Sequence, residues 1–455
     1  MKTLDIARRA GRNLRQAKGR TILTALAISV GAFTLTLALA IGAGTRSYFA
    51  KFMETNINKQ TLMITKDESM TKIGGGVSSG PKEYDPSAKT YDGGPSFKTL
   101  SMSDLEKIRA DKDIVEVLPM YQVSIKYFTY QGLDKKFTST VDVYDKSIRN
   151  EALSGNLPKL GEMIKNDEIV IPESYLSTLK IKNPEDAIGK SVTLRVERQM
   201  QQLAQEDVTR ILSTEGIEGL ARATQTEAKD ITYKIRAVTQ KPATALNSSD
   251  KLTISDVQAK ELSDYITMGT SSYQRYMTAI GFVKDGVVPE TVRDRLKKDG
   301  FPTLSAKDLQ GMLFTLVNVM QAIVAGFGVL ALIASIFGII NTQYISVLER
   351  TSQIGLMKAL GMSNKAVGKL FRYEAAWIGF LGGVMGALIA IVAGLLLNPM
   401  ITEKLKLGAG NSLLEFQPLP IILLIVFLVL IAIVAGWFPS RKASGLDPIE
   451  ALRTE

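Results

Sequence analysis

The sequence predicts a membrane protein with four transmembrane α-helices and a large extracytoplasmic α+β domain inserted between helices 1 and 2. Three observations lead to this prediction. Four long segments contain no charged residue, the segment of residues 47–308 holds equal numbers of acidic and basic residues, and the basic excess lies elsewhere in the chain. These features divide the chain into a membrane part and a water-exposed part.

The four uncharged segments are residues 21–45, 309–348, 375–402 and 416–440. Each exceeds the roughly 20 apolar residues that a helix needs to cross a bilayer. Buried core helices of a soluble protein are the alternative, but four such segments with Lys or Arg nearby disfavour it. The first segment is also longer than the core of a signal peptide, about 7–15 residues. It is therefore predicted to be an uncleaved membrane helix.

The distribution of charge predicts the orientation of these helices. Residues 1–20 hold seven basic residues and one acid, residues 349–374 hold five and two, and residues 47–308 hold 37 of each. Because Lys and Arg concentrate in cytoplasmic loops, we expect a multi-pass protein of the cytoplasmic membrane with both termini in the cytoplasm. This orientation accounts for the net charge of +10, so no binding to nucleic acid is expected.

These observations define the predicted order of segments along the chain. The segments are a cytoplasmic amphipathic helix (1–20), transmembrane helix 1 (21–45), an extracytoplasmic α+β domain with a stalk (46–311), transmembrane helix 2 with a stalk (312–348), a cytoplasmic coupling helix and connector (349–374), transmembrane helix 3 (375–402), an extracytoplasmic loop (403–415), transmembrane helix 4 (416–438) and a cytoplasmic tail (439–455).

The first segment has the pattern of a helix that lies on a lipid surface. At 100° per residue, Ile6, Ala10 and Leu14 fall on one face, whereas Arg8 and Arg12 fall on the opposite face. A basic amphipathic helix of this kind binds the interface of an anionic leaflet. We therefore expect the N-terminal helix to contact the lipid bilayer.

The inserted domain shows mixed strand and helix patterns. Residues 61–66, 168–171, 191–196 and 278–284 alternate like strands, whereas 101–110 and 289–299 favour helices. Ser103 is the predicted cap of the 101–110 helix. Residues 74–96 are rich in Gly, Pro and Ser and predict a loop, and residues 197–230 predict a polar, helix-favouring insertion; neither has an assigned role.

The charged segment between the second and third membrane helices is the candidate functional site. Its apolar residues recur at helical spacing, unlike those of an ordinary loop. Gly361 fits a helix C-cap and Ser363 an N-cap. We expect a short helix that docks into a groove on a partner protein. Its candidate residues are Glu349, Arg350, Ile354, Gly355, Met357, Lys358, Leu360 and Gly361.

The third membrane segment carries glycines at GxxxG spacing. Gly379 pairs with Gly383, and Gly382 pairs with Gly386. Such glycines let helices approach closely in lipid. Packing against a helix of the same chain is favoured over dimerisation through this face.

Several stretches resemble the FtsX-like permeases of ABC transporters. They are LERTSQIGLMKALGMS followed by FRYEAAWIGFLGGVMG, the tail PSRKASGLDPIEALR and the N-terminal NLRQAKGRTILTALAISVGAF. The layout resembles the macrolide-exporter (MacB) subgroup, and MSDLEKIRADKDIVEVLP resembles part of its exported domain. The resemblance covers most of the chain and is weakest over residues 74–96 and 197–230.

The resemblance implies a permease homodimer that binds a dimer of separate ABC ATPase subunits. In that family the segment corresponding to 349–361 couples to the ATPase. ATP-driven closing moves the stalks and reshapes the exported domain, a mode called mechanotransmission. The cargo of such a machine would be a drug, a peptide or a lipid-linked molecule, and the substrate-binding residues stay unassigned.

The sequence predicts no enzyme activity in the chain itself. It contains no Cys and no His, which excludes the metal sites and nucleophilic triads that need them, and neither a metal nor a cofactor is expected. A phosphate-binding loop needs G-x-x-x-x-G-K-[ST]; Gly189, Lys190 and Ser191 match its end, but Pro184 occupies the first Gly position. No catalytic residue is assigned, and ATP hydrolysis is expected in a partner.

Two functions remain open at this point. The first is export or extrusion, in which an extracytoplasmic adaptor can take part. The second is signalling, in which motion of the exported domain activates a cell-wall hydrolase or a sensor outside the membrane. The size of the 47–308 segment favours export, because the division-type FtsX proteins of the signalling class have a much smaller exported domain.

Overall fold

The computed structural model describes residues 3–16, 18–72, 88–90, 96–198, 205–223, 227–240, 251–405, 407 and 411–453. The chain forms two compact units. The membrane unit comprises Met1–Ala50 and Leu313–Glu455, and the inserted domain comprises Lys51–Met312. Most of the predicted 74–96 loop, and parts of the 197–230 insertion, lie outside the described residues.

The described residues form α-helices of very different lengths. They are α1 (Thr3–Gln16), α2 (Lys18–Asn56), α3 (Met102–Arg109), α4 (Ser174–Thr178), α5 (Gln205–Ala223), α6 (Asp256–Thr267), α7 (Pro289–Lys298), α8 (Ala306–Glu349), α9 (Thr351–Ala359), α10 (Asn364–Lys404), α11 (Pro418–Ser444) and α12 (Pro448–Arg453). Two short 3₁₀ helices span Glu68–Thr71 and Pro184–Ala187.

The strands of the described residues all lie in the inserted domain. They are β1 (Thr61–Thr65), β2 (Lys89–Thr90), β3 (Ser96–Phe97), β4 (Leu100–Ser101), β5 (Ile114–Pro119), β6 (Gln122–Ser124), β7 (Tyr127–Tyr130), β8 (Lys136–Phe137), β9 (Thr140–Val143), β10 (Ala152–Gly155), β11 (Glu168–Pro172), β12 (Ser191–Glu197), β13 (Ala228–Thr239), β14 (Leu252–Ile254), β15 (Arg275–Tyr276), β16 (Thr278–Val283) and β17 (Thr303–Ser305).

Within the described residues, four helices are long and apolar enough to cross a membrane: α2, α8, α10 and α11. With 39 and 44 residues, α2 and α8 are each about twice as long as the ~30 Å hydrocarbon core requires. The predicted membrane segments are therefore parts of longer helices. Because each helix continues through the boundary between lipid and water, the boundary residues of these segments stay predictions.

Glycines set the close packing inside the membrane unit. A Cβ on Gly382 would lie 2.6 Å from Ile28 Cβ, and one on Gly386 would lie 2.4 Å from the carbonyl oxygen of Ser29. Gly379 faces Ala432, and Gly383 faces Leu428. Thus the four glycines of α10 pack against α2 and α11 of the same chain.

The inserted domain contains two main sheets. One is a four-stranded antiparallel sheet in the order β17-β1-β16-β5. The other is a nine-stranded mixed sheet in the order β6-β9-β14-β11-β13-β12-β7-β8, with β10 also paired to β13. Strand β12 shows how the sequence produces this architecture, since Val192, Leu194 and Val196 are buried and alternate with less buried residues. Mixed helices and sheets confirm the predicted α+β class.

The cap of α3 differs from the prediction. The helix begins after Ser101, whose Oγ accepts a hydrogen bond from the backbone N–H of Asp104, and Asp104 accepts one from the N–H of Ser101. This reciprocal pair is a capping box. Ser103, the predicted cap, lies inside the helix. Both Ser101 and Ser103 are followed three residues later by an acid, and the reciprocal bonds form at the first of these pairs.

Candidate functional site

The candidate site is the short helix α9, which lies between the membrane helices α8 and α10. Arg350 has φ −113° and interrupts the path from α8 into α9. At the other end, Gly361 has φ +93°, and its N–H donates to Lys358 O while the N–H of Met362 donates to Met357 O. This pair of bonds is the Schellman motif that ends many helices. Helix α10 then starts with Ser363 Oγ accepting from the N–H of Ala366.

One face of α9 is buried within the membrane unit. Ile354 packs with Val347, Val367 and Phe371. Gly355 is also buried, since a Cβ there would lie 2.8 Å from Ala451 Cβ in α12. Gly355 was among the candidate residues for docking a partner. Instead, the close neighbour of Gly355 is the chain's own α12, because small residues on both helices allow that contact.

Lys358 and Met357 fasten α9 to the rest of the membrane unit. Lys358 Nζ donates to the carbonyl oxygens of Ser444 (3.1 Å) and Leu446 in the link between α11 and α12. The side chain of Met357 is partly buried against two apolar clusters. These contacts give both residues a role in holding α9 in place.

The opposite face of α9 is exposed. The side chain of Leu360 is 80% exposed, and Leu356, one helical turn before it, is 52% exposed. We call the exposed residues Gln353, Leu356, Leu360 and Gly361 the coupling surface. Leu356 was not among the predicted site residues, although its i, i+4 spacing from Leu360 could have indicated it.

Glu349 and Arg350 connect α9 to other helices by ion pairs. Glu349 Oε2 lies 2.5 Å from a guanidinium nitrogen of Arg20 in α2. Arg350 lies 3.3 Å from Glu374 Oε1 in α10, and Asn13 of α1 donates to the same oxygen at 2.8 Å. We call Asn13, Arg350 and Glu374 the buried polar cluster, because the Glu374 side chain is almost inaccessible.

A polar cavity of about 200 Å³ adjoins this cluster. Gln343 lines it, and the buried Oε1 atom of Gln343 has no hydrogen-bond partner among the described residues. Asn13, Gln343 and Glu374 were not among the residues that the sequence indicated for this site. An acid that directly precedes an uncharged membrane segment was the available signal for Glu374, whereas nothing local indicates that Asn13 is its partner.

Two family profiles match the chain. The profile of the MacB-like periplasmic core domain matches residues 21–299, more than half of the chain, and that of the FtsX-like permease C-terminal region matches residues 325–448. The chain belongs to the FtsX-like permease family of the MacB type. It is therefore an ABC transporter permease, and its inserted domain is extracytoplasmic.

Curated relatives agree with this assignment. The permease is 25% identical to the ABC transporter permease YtrF of Bacillus subtilis over 98% of this chain and 97% of the relative. It is 22% identical to an uncharacterized ABC transporter permease of Methanocaldococcus jannaschii over 100% of this chain and 99% of the relative. A macrolide export ATP-binding/permease protein MacB of Bdellovibrio bacteriovorus is 32% identical over 34% of this chain and 23% of that protein.

Proposed function

We propose that this permease binds a separate dimer of ABC ATPase subunits through the coupling surface. The observation that carries the proposal is the 80% exposure of Leu360 at the turn between two membrane helices. A leucine that is largely exposed at a helix end is the kind of apolar anchor that fills a pocket on a partner. On this proposal α9 and both termini lie in the cytoplasm, where the positive-inside rule also places them.

The contacts of α9 explain how motion at the coupling surface would reach the rest of the permease. Ile354 packs α9 against α8 and α10, and Lys358 donates a hydrogen bond to the end of α11. Arg350 forms an ion pair with Glu374 of α10. A force on Leu360 therefore moves several membrane helices together. One of them, α8, leads directly into the extracytoplasmic domain, and so does α2, whose Arg20 pairs with Glu349 at the end of α8. The motion would therefore be transmitted to that domain. This is mechanotransmission by a permease homodimer.

ATP hydrolysis is assigned to the partner and not to the permease. The Gly189-Lys190-Ser191 sequence ends at the first residue of β12 in the extracytoplasmic domain, and Pro184 begins a 3₁₀ helix where a phosphate-binding loop would need glycine. We propose export or extrusion of a drug, a peptide or a lipid-linked molecule as the output, with an adaptor as a further partner. The alternative output is activation of an extracytoplasmic cell-wall hydrolase or sensor.

A site-specific photo-crosslinker tests the docking proposal in intact cells. We expect p-benzoylphenylalanine at position 360 to crosslink to a protein that carries an intact ATP-binding motif. Ile217 is a matched control, because its side chain is also 80% exposed but lies in the extracytoplasmic domain. Crosslinking of an ATPase from position 217, or of none from position 360, would contradict the proposal.

A second experiment tests whether the same residue carries coupling. The Leu360→Asp variant should insert into the membrane and have the same thermal stability as the wild type, because the side chain is exposed. It should nevertheless lower the affinity of the permease for the ATPase by roughly tenfold or more. Ile217→Asp should leave affinity unchanged. Leu330→Asp places a charge within the uncharged part of α8 and serves as the reference for a variant with impaired membrane insertion and stability. If Leu360→Asp resembles Leu330→Asp, Leu360 has a structural role and the docking proposal is wrong.

The purified chain provides a third test. We expect no ATP hydrolysis by the permease alone and measurable hydrolysis by the crosslinked or co-purified complex.

To distinguish export from signalling, the complex is reconstituted in vesicles. Cargo-dependent ATPase activity would favour export, whereas stimulation by an added cell-wall hydrolase would favour signalling.

A further inference from the structure

We propose that the groove between α1, α2 and α10 binds the headgroup and upper acyl chains of an anionic phospholipid. The groove has a volume of about 780 Å³. Arg8, Arg12 and Lys18 line one part of it, and Ile22, Trp377 and Leu381 line another. A phosphate with attached acyl chains matches this division into a cationic and an apolar part.

The groove exists because α1 packs against the membrane helices through its apolar face. Ile6 and Ala10 are buried against Leu370 of α10. The indole Nε1 of Trp377 donates a hydrogen bond of 3.2 Å to the carbonyl oxygen of Ala7. These contacts hold the cationic face of α1 at a fixed distance from the indole ring.

The cations of the groove are available for a ligand. Arg8 and Arg12 are exposed and lie one helical turn apart on α1, and Lys18 is exposed at the start of α2. None of the three forms an ion pair with another described residue. Asp5 also lines the groove, so three cations and one acid leave a local charge of +2. This excess favours an anionic ligand.

The apolar part of the groove identifies the ligand as a lipid. Ile22, Trp377 and Leu381 are exposed on helices that are long enough to span a membrane. Tryptophan favours the headgroup level of a bilayer, and basic pockets between membrane helices bind anionic headgroups. A soluble anion would satisfy the cations but leave the apolar wall uncovered. A phospholipid covers both, and the site is separate from the coupling surface.

Trp377 provides a direct readout in the full-length permease. The chain has two tryptophans, so Trp437→Phe leaves Trp377 as the single tryptophan, which is excited selectively at wavelengths where tyrosine does not absorb. The variant is placed in phosphatidylcholine nanodiscs that contain a minor fraction of phosphatidylglycerol with brominated acyl chains. We expect stronger quenching than with the same fraction of brominated phosphatidylcholine. Equal quenching by the two lipids would overturn the proposal.

Charge variants test whether the named cations are responsible. Each basic residue near an anionic lipid contributes about fivefold in affinity, so Arg8→Gln, Arg12→Gln and Lys18→Gln together should lower it on the order of a hundredfold. The matched control neutralises three exposed cations elsewhere in the membrane unit, Lys365, Lys369 and Arg441, and should retain the preference. Loss of preference in the control would indicate diffuse surface attraction and overturn the proposal. The charge-preserving Arg8→Lys, Arg12→Lys variant should retain quenching.

Discussion

Among single residues, Glu374 is the buried carboxylate that ties α1, α9 and α10 together. It accepts hydrogen bonds from Asn13 and Arg350. Breaking a buried ion pair leaves an uncompensated charge, which typically costs more than the pair itself contributes. The buried polar cluster therefore matters most when one of its members is lost.

We predict that Arg350→Met lowers the free energy of unfolding by about 3 kcal/mol, because the Glu374 carboxylate then loses its cation. The double variant Arg350→Met, Glu374→Gln should recover much of this loss, since the neutral amide needs no counter-charge. Thermal unfolding of the detergent-solubilised permease measures both. An Arg350→Met variant as stable as the wild type would show that the cluster does not stabilise the fold.

A second residue-scale prediction concerns acid sensitivity of the extracytoplasmic domain. Burial alone would raise the pKa of Asp111, but hydrogen bonds from Arg295 and from the N–H of Asp113, together with nearby positive charge, hold that pKa below its usual value. A carboxyl group with a lowered folded-state pKa stabilises the fold at pH values above its unfolded pKa. That contribution is lost as the pH falls through the folded-state pKa.

We therefore expect Asp111→Asn to cost about 1 kcal/mol at neutral pH, because the Arg295 side chain is partly exposed and its interactions are screened. The difference between wild type and variant should shrink as the pH falls below about 4. Thermal unfolding of the full-length chain across this pH range provides the measurement. A difference that does not depend on pH would show that ionisation of Asp111 is not involved.

The coupling surface shows what the sequence can and cannot predict for single residues. Leu360 and Ile354 were both recognised as apolar residues at helical spacing, yet one is exposed and the other is buried. The face of a short helix that becomes buried depends on distant segments. Here the deciding neighbour of Gly355 is Ala451 in α12, which no local pattern could reveal.

At the scale of elements, the α10 glycines allow a sharp test of helix packing. A Cβ at Gly386 would lie 2.4 Å from Ser29 O and 2.5 Å from Ala32 Cβ, whereas one at Gly338 of α8 would have no neighbour within 4 Å. We expect Gly386→Ala to destabilise the permease by about 1–3 kcal/mol through overpacking. Gly338→Ala should be neutral or stabilising in the same thermal unfolding measurement. Equal effects of the two variants would contradict the packing interpretation.

Most of the long elements could be predicted from the sequence, and the short ones could not. Uncharged segments indicated the four membrane helices, and alternation indicated strands such as β12. Strands β14 and β17 have three residues each, too few to show a period. Such strands form because neighbouring strands supply their hydrogen bonds, so they depend on the assembled sheet.

For the whole molecule, the proposed orientation leads to a labelling prediction. The chain is free of cysteine, so single cysteines can be introduced at exposed sites. Thr178→Cys in the inserted domain should react with an impermeant thiol reagent in intact cells. Lys369→Cys near the start of α10 should react only after the cells are permeabilised. The reverse pattern would place the termini outside and rule out the proposed cytoplasmic docking.

The pairing of β1 with β17 has an evolutionary consequence. Leu62 lies opposite Ser305 in this antiparallel pair, so the first and last of the longer strands in the inserted domain lie side by side, with these two Cα atoms about 5 Å apart. A domain whose two ends are adjacent can be replaced by another domain without moving the helices on either side of it. Insertions of whole domains are tolerated for the same reason. Recombination could therefore replace the outer domain while the membrane helices and the coupling surface keep their sequence. Related permeases are expected to diverge faster in the sequence of the extracytoplasmic domain than in that of the coupling surface.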